Sequence, residues 1–460
     1  MDRVRWAGPA ALLAAVLLGY ANSFSGAFQF DDFNVIVDNP SVHSLSSWLD
    51  GASKGLRPLL KLTYALNWTS GLGLFGFHLF NGTIHAANTC LVYLLSRRLI
   101  PGGKDAPGAA AETGPFLAAL LFAVHPVQTE AVTYISGRSM SLMAFFYLGS
   151  LSAYARGVET NGRTLLWLVS PALFLLALLT RETAVTLPAA LLLWESVTGG
   201  GRTRWPEIAR RQAAHWMLLS CALAFFLVHP AYRNTWGAAF ASQDPWRSVL
   251  AQVQGAAYLL SRLAMVHRLN IDPDLPVPQG LTPAIAAEGL LLLSLLAAGI
   301  AARRKAPVAG FGILWFFLHL LPTNSIIPRL DIASERHLYL AGWGIFLAVG
   351  AGAGKLSAAG GRKGSRVPAS KWVPAAAVLA AILMGGYTIA RNRSYRSEVA
   401  LWESTVRLSP AKARAHNNLG YAYQLSGMRE KAIASYREAL RLDEGFRKAR
   451  GNLATLSEDP

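Results

Sequence analysis

Cysteine is nearly absent: Cys90 and Cys221 are the only two in 460 residues, and both fall inside apolar runs. No disulfide framework or cysteine-built metal site can be read from so isolated a pair, and the redox compartment stays open. Charge is scarce as well, at 15% of residues against 53% hydrophobic, with a mean hydropathy of +0.32. One soluble core would not bury that much apolar surface, so an ordinary soluble domain is excluded in favour of an integral membrane protein. Acidic residues are the scarcer sign, 26 against 43 Lys and Arg, for a net charge of +17. Such an excess can signal a nucleic-acid partner, but here the basic residues sit in short loops between apolar runs. That distribution speaks to membrane orientation and against nucleic acid.

What is present is a series of long apolar segments. A spanning helix needs roughly 20 such residues. Candidates lie at 6–23, 76–96, 115–127, 140–156, 164–180, 183–198, 212–230, 282–302, 307–322, 337–354 and 372–390, which predicts an all-α polytopic protein with about 11 transmembrane helices. Residues 1–27 also fit a cleaved signal peptide, but the many later spans favour a retained helix. With "MDRVR" cytoplasmic, an alternating path keeps "SRRLIPGGK", "GGGRTRWPEIARR", "ARRKAP" and "GKLSAAGGRKGSRVPASK" inside, as the positive-inside rule requires. Asp31, Asp32, Glu130, Glu182, Asp272, Asp274, Asp331 and Glu335 then gather on the opposite, external face. The long external stretch 232–281 carries Gln252, Gln254, Arg262 and His267 among apolar residues and predicts an amphipathic or half-inserted helix.

After Asn392 the chain turns polar. A 34-residue offset recurs there: Trp402 matches Tyr436, Leu408 matches Leu442, Ala415 matches Ala449, and Asn418-Leu419 returns as Asn452-Leu453. This is the period of tetratricopeptide repeats. One complete repeat with flanking halves is fewer than about three units, so the segment is expected to lean on the membrane part or on a partner. The division is 1–391 for the membrane domain and 392–460 for an external repeat segment.

Charged side chains at membrane boundaries must pair, face water or work. The external loops supply Asp31 and Asp32 in "FQFDDFNVIVDNP", then Arg57, then His125, Glu130 and Arg138 in "HPVQTEAVTYISGRS". They continue with Arg181 and Glu182 in "LLTRETAV", and with Arg329, Asp331, Glu335, Arg336 and His337 in "LPTNSIIPRLDIASERHLYL". A carboxylate can take the proton of an attacking hydroxyl, while arginines hold a phosphate as negative charge develops on it. A sugar carried on a lipid phosphate presents that demand at a membrane surface. Each residue also has a plainer reading: Asp31 and Asp32 as a solvated turn, Glu335 with Arg336 as a locking ion pair, Arg138 and Arg181 as caps on helix carbonyls, and His125 as a structural hydrogen bond before Pro126.

The order of these motifs, followed by tetratricopeptide repeats, resembles the transmembrane and tetratricopeptide-repeat-containing O-mannosyltransferases and their bacterial relatives, within the GT-C glycosyltransferases. The resemblance covers nearly the whole chain. It implies a GT-C-like architecture and transfer of a sugar, mannose for instance, from a polyprenyl-phosphate donor to a hydroxyl of a protein or glycoconjugate, with inversion. It places Asp31 and Asp32 at the catalytic positions, leaning to Asp31 as the base. His125, Glu130, Arg138, Arg181, Glu182, Glu335 and Arg336, joined by Arg57, take the donor and phosphate-binding positions. Arg181 stands where these proteins often have lysine, and the repeat array is much shorter than in the eukaryotic ones. The short tail and the Ala- and Gly-rich composition tilt the setting to a bacterial inner membrane, with the site and repeats on the periplasmic side.

Two other classes stay open. A transporter or flippase of a lipid-linked or anionic substrate would line a passage with the same groups, though no internal repeat is visible in the membrane part. A noncatalytic envelope-assembly scaffold would act through the repeats and a protein partner. No cofactor is indicated with certainty, and a divalent metal is left open.

Overall fold

The computed structural model describes residues 3–100, 109–199, 204–242, 244–324, 331–360 and 369–458. Arg329 and the basic loop residues 101–104, 201–203 and 361–368 lie outside the described residues. Each of the eleven apolar stretches contains helix, and no strand occurs among the described residues. Among the described residues, five helical segments are long and apolar enough to cross a membrane: Ala7–Ser25, Trp205–Val228, Pro283–Lys305, Glu335–Ala358 and Ala375–Tyr395. A sixth is added if Glu112–Val124 and Pro126–Val132, bent by 49°, count as one broken span. The expected count of eleven is therefore not reached on length and apolarity alone.

Leu165–Thr180, Leu187–Thr198 and Pro307–Leu320 are apolar but short, and a longer helix falls short because of what it buries. Gly73–Leu99 carries His78, Asn81, His85 and Asn88, and all four face the interior. His85 joins the Tyr339 hydroxyl at 2.8 Å and the Ala123 carbonyl at 3.0 Å; Asn88 donates to the Ser141 carbonyl and to Tyr339. Polar groups satisfied inside a bundle lower a helix's apolarity without turning it toward water. Around this network packs an aromatic core of Tyr147, Phe311, Trp315 and Trp343, all fully buried. Helices Pro307–Leu320 and Leu338–Gly360 meet at Gly312 and Gly344, where a Cβ on either would collide with the other's carbonyl oxygen, so only glycine admits so close a crossing.

Within the 232–281 stretch the helix that carries Gln252 and Gln254 spans Pro245–Arg262, with Gln252 and Arg262 buried rather than solvated and His267 in a separate turn, Val266–Arg268. Helices Glu398–Leu408, Ala413–Leu425, Arg429–Leu442 and Arg447–Glu458 build the repeat segment around Trp402, Ala415, Leu419, Tyr423, Ala432 and Tyr436. It leans on the loops at one end of the bundle. Arg414 grips Asp272 at 2.8 Å and Asp331 at 2.6 Å, and Lys412 also pairs with Asp272. The same end gathers loops 26–45, 125–138, 181–186 and 331–337, which hold the charged motifs.

Candidate active site

The acidic pair is divided by the backbone. Beyond the 3-10 turn Ala21–Ser25, Phe30 adopts φ 44°, a left-handed conformation that costs roughly 1–2 kcal/mol for a residue with a Cβ. Asp32 is fully buried; its Oδ2 accepts the Gln29 N–H at 2.9 Å and its Oδ1 accepts the Ser136 N–H at 2.7 Å. Burial pushes its carboxyl up to about 7, against the pull of those two donors and with a further upward push from Asp31. Asp31 keeps 39% of its side chain exposed, its N–H donates to the Tyr134 hydroxyl at 2.9 Å, and its Oδ2 lies 4.0 Å from Arg336 Nη1.

The second and fourth motifs meet this loop. The 3-10 turns Pro126–Gln128 and Ile135–Gly137 bracket the short helix Thr129–Val132, and Gly137 packs so tightly on the Glu130 carbonyl that a side chain there would clash. Glu130 is thereby buried with Oε1 accepting the Ser334 hydroxyl at 2.7 Å and Oε2 accepting the Arg336 N–H at 3.0 Å. The Arg336 guanidinium comes within 3.6 Å of Glu130 and so stands between two carboxylates, Glu130 and Asp31. Glu335 faces another way: it accepts the Asn270 N–H at 2.6 Å and the Tyr258 hydroxyl at 3.4 Å, and Arg391 is the main positive charge acting on it.

The third motif pairs with the first loop. Arg57, at φ 56° before the helix Pro58–Thr69, grips Glu182 through Nε at 3.0 Å and Nη2 at 2.9 Å, and the Tyr232 hydroxyl adds a bond to Glu182 at 3.1 Å. Burial works to raise the Glu182 carboxyl, but the adjoining Arg57 outweighs it and holds the group down to about 2. Arg181 donates to Ser139 at 2.6 Å. Arg57 and Arg336 are within electrostatic reach of each other, and the buried Tyr64, whose hydroxyl has no hydrogen-bond partner among the described residues, feels both. Arg336 stands beside Asp31, while the Arg57 guanidinium is held by Glu182.

Two sequence candidates are committed to the protein instead. Arg138 is wholly buried, donating to Asn81 at 2.7 Å, to Thr63 at 3.2 Å and to the Phe77 carbonyl at 3.1 Å, with the Phe80 ring 4.4 Å away. His125 accepts the Val127 N–H, capping the turn at Pro126, and bonds the Leu263 carbonyl, so both ring nitrogens are occupied within the protein. Replacing Arg138 with lysine should strand these acceptors and destabilise the fold by roughly 3 kcal/mol, read as a lowered thermal midpoint in detergent. An unchanged midpoint would contradict this account.

Tyr134, Tyr64, Tyr232 and Arg391 were not singled out from sequence. Tyr134 lies inside "HPVQTEAVTYISGRS", so its motif was visible; an aromatic among aromatics offers no signal of its own. Among the described residues no group of three or more His, Cys, Asp or Glu is arranged to hold a metal ion.

The fold and these loops define an all-helical membrane protein with a carboxylate–arginine cluster at one end of its bundle and a repeat segment packed on that end. Residues 413–446 match the tetratricopeptide repeat family model. The chain is similar to human Protein O-mannosyl-transferase TMTC1, 26% identical with 98% of this chain and 57% of the relative covered. It is likewise similar to Drosophila melanogaster Protein O-mannosyl-transferase Tmtc3, at 25% with 94% and 54% covered, and to mouse Protein O-mannosyl-transferase TMTC4, at 26% with 92% and 64%. The chain thus spans just over half to just under two thirds of the length of these curated relatives. No solved structure matches it.

Proposed function

We propose that this chain is a membrane glycosyltransferase of GT-C type that moves a sugar, mannose first among the candidates, from a polyprenyl-phosphate donor to a hydroxyl of a protein or glycoconjugate. The observation that carries the reading is the Asp31–Arg336–Glu130 cluster with Arg57 nearby. It puts one partly exposed carboxylate beside fixed positive charge, and the similarity to proteins named O-mannosyl-transferases supports the reaction class. Asp31 takes the proton of the acceptor hydroxyl as its oxygen attacks the anomeric carbon. The bond to the phosphate oxygen breaks on the opposite face, its electron pair stays on the phosphate, and Arg336 and Arg57 stabilise the charge that develops. Direct displacement inverts the anomeric configuration.

Asp32 and Glu130 serve this reaction as anchors, the first of the loop and the second of Arg336. Basic loops on the other face support a site on the external, periplasmic side of a bacterial inner membrane. Residues 1–391 then form the transferase domain and 392–460 an external segment able to meet a protein partner. The test is purified full chain in nanodiscs with radiolabelled polyprenyl-phosphate mannose and, separately, other polyprenyl-phosphate sugars. Consumption of one donor with release of polyprenyl phosphate is expected. Vesicle passage of donor with no bond cleavage in any assay would replace this reading with a transporter.

A further inference from the structure

The repeat segment does more than rest on the bundle, because its first helix reaches the residue next to Asp31. Glu398 Oε1 accepts the Phe30 N–H at 2.9 Å, and the Phe30 ring stands edge-on to Trp402 with centroids 5.3 Å apart at 81°. Just before that helix, the Tyr395 carbonyl accepts the Ala27 N–H at 3.3 Å and the Gln29 side-chain amide at 3.0 Å. The Tyr395 ring stacks on Tyr134, whose hydroxyl accepts the Asp31 N–H. Phe30 is the residue in the left-handed conformation, and it turns the chain between buried Gln29 and partly exposed Asp31. A strained backbone conformation persists only where its surroundings over-determine it. Here the Phe30 N–H acceptor and one of its ring contacts come from the segment after residue 392, while Tyr134 packs on it from the membrane part.

We propose that Glu398 and Trp402 are positioning residues for the reaction: by holding Phe30 they hold Asp31 toward Arg336. The proposal rests on the functional reading of Asp31 given above. A second set of contacts ties the same segment to the other side of the cluster. Asn270, which donates its N–H to Glu335, gives its side-chain amide to Ser409, and Ser409 donates to the Asp272 carbonyl. The repeat segment therefore braces both the Asp31 loop and the loop that leads into Arg336.

The experiment compares full-length Glu398→Ala, Glu398→Gln, Trp402→Ala and Trp402→Phe with wild type in nanodiscs, using polyprenyl-phosphate mannose as donor and following amide exchange over residues 27–33. Arg441→Ala, an exposed change far along the repeats, is the control, and Asp31→Asn is the reference. For the two alanine variants, kcat should fall about tenfold or more with KM for the donor within about twofold, because geometry at the reacting group is lost while donor contacts stay. Exchange at Phe30 and Asp31 should rise by about the same factor as their N–H bonds open. Glu398→Gln keeps an acceptor oxygen and Trp402→Phe keeps a ring edge, so both should recover most of each readout.

Unchanged kcat and unchanged exchange in Glu398→Ala overturn the proposal. So does an equal loss in Arg441→Ala, since the effect would then reflect repeat stability at large. If Asp31→Asn turns over like wild type, the functional reading fails by itself, while the exchange results still decide whether the repeats hold the loop.

Discussion

Asp31→Asn is expected to lower sugar transfer by about 10³-fold, within the range a positioned general base supplies, while thermal stability stays near wild type. Its side chain is partly exposed and its ion-pair partner Arg336 is 4.0 Å away, so the amide loses proton-accepting power without stranding a buried group. Asp32→Asn should behave differently. Both Asp32 oxygens accept backbone N–H groups, and an asparagine must turn its NH2 toward one of those donors. An unsatisfied, opposed donor of this kind costs about 1–3 kcal/mol, so this variant should lose stability along with activity. Measured transfer rates and thermal midpoints for the two variants distinguish the roles. Equal stability losses, or full activity in Asp31→Asn, would remove the assignment.

The pH dependence follows the same geometry. The folded Asp32 carboxyl is raised to about 7 from an ordinary 3.8, so the folded state binds a proton the unfolded chain has already released. Its contribution to stability is full below pH about 4 and is lost as pH rises toward about 7. Activity should move the opposite way, because the carboxylate accepts the two N–H groups that anchor the loop more strongly than the protonated acid does. Transfer by wild type is expected to rise through pH about 7 while the melting temperature drifts down. A flat rate profile between pH 5 and 8 would count against Asp32 as the anchor.

Arg336→Lys should reduce kcat by roughly 10²–10³-fold, the loss seen when a preorganised charge donor is taken from a developing anion. The guanidinium spans Glu130 at 3.6 Å and Asp31 at 4.0 Å, and a lysine ammonium is a single point on a flexible stem that cannot reproduce that bridge. Folding should survive, since the Arg336 backbone N–H still binds Glu130 and Ser334 still donates to it. Steady-state turnover with polyprenyl-phosphate mannose, alongside a melting curve, checks both halves. Retention of wild-type turnover would mean that the phosphate is held elsewhere, with Arg57 the next residue to test.

Helical stretches were legible because a long apolar run has few alternatives to helix, and the repeat segment because its 34-residue offset recurs in residue type. The loops that carry the charged motifs were legible for a related reason: ionisable groups among spans stand out against 53% hydrophobic residues. What the individual charges do was not. Arg138 and Arg336 look alike in sequence, each a single arginine near a span. One meets Asn81, Thr63 and Phe77 in a closed pocket, and the other stands between two carboxylates, buried Glu130 and partly exposed Asp31. Those partners lie 57 to 75 residues from Arg138 and 206 from Arg336 in the Glu130 bond, beyond the reach of any local pattern.

The chain's composition and periodicity by themselves determine an all-helical membrane protein with acidic and arginine-bearing loops and a tetratricopeptide tail, because burial of apolar runs and repetition of a supersecondary unit are local properties. Tertiary structure alone decided that adjacent Asp31 and Asp32 occupy opposite environments. The Ser136 N–H that captures Asp32 comes from 104 residues away, and the Glu398 carboxylate that holds Phe30 comes from 368 away. A carboxylate's role is set by which donors and charges surround it, and only the folded chain brings these together.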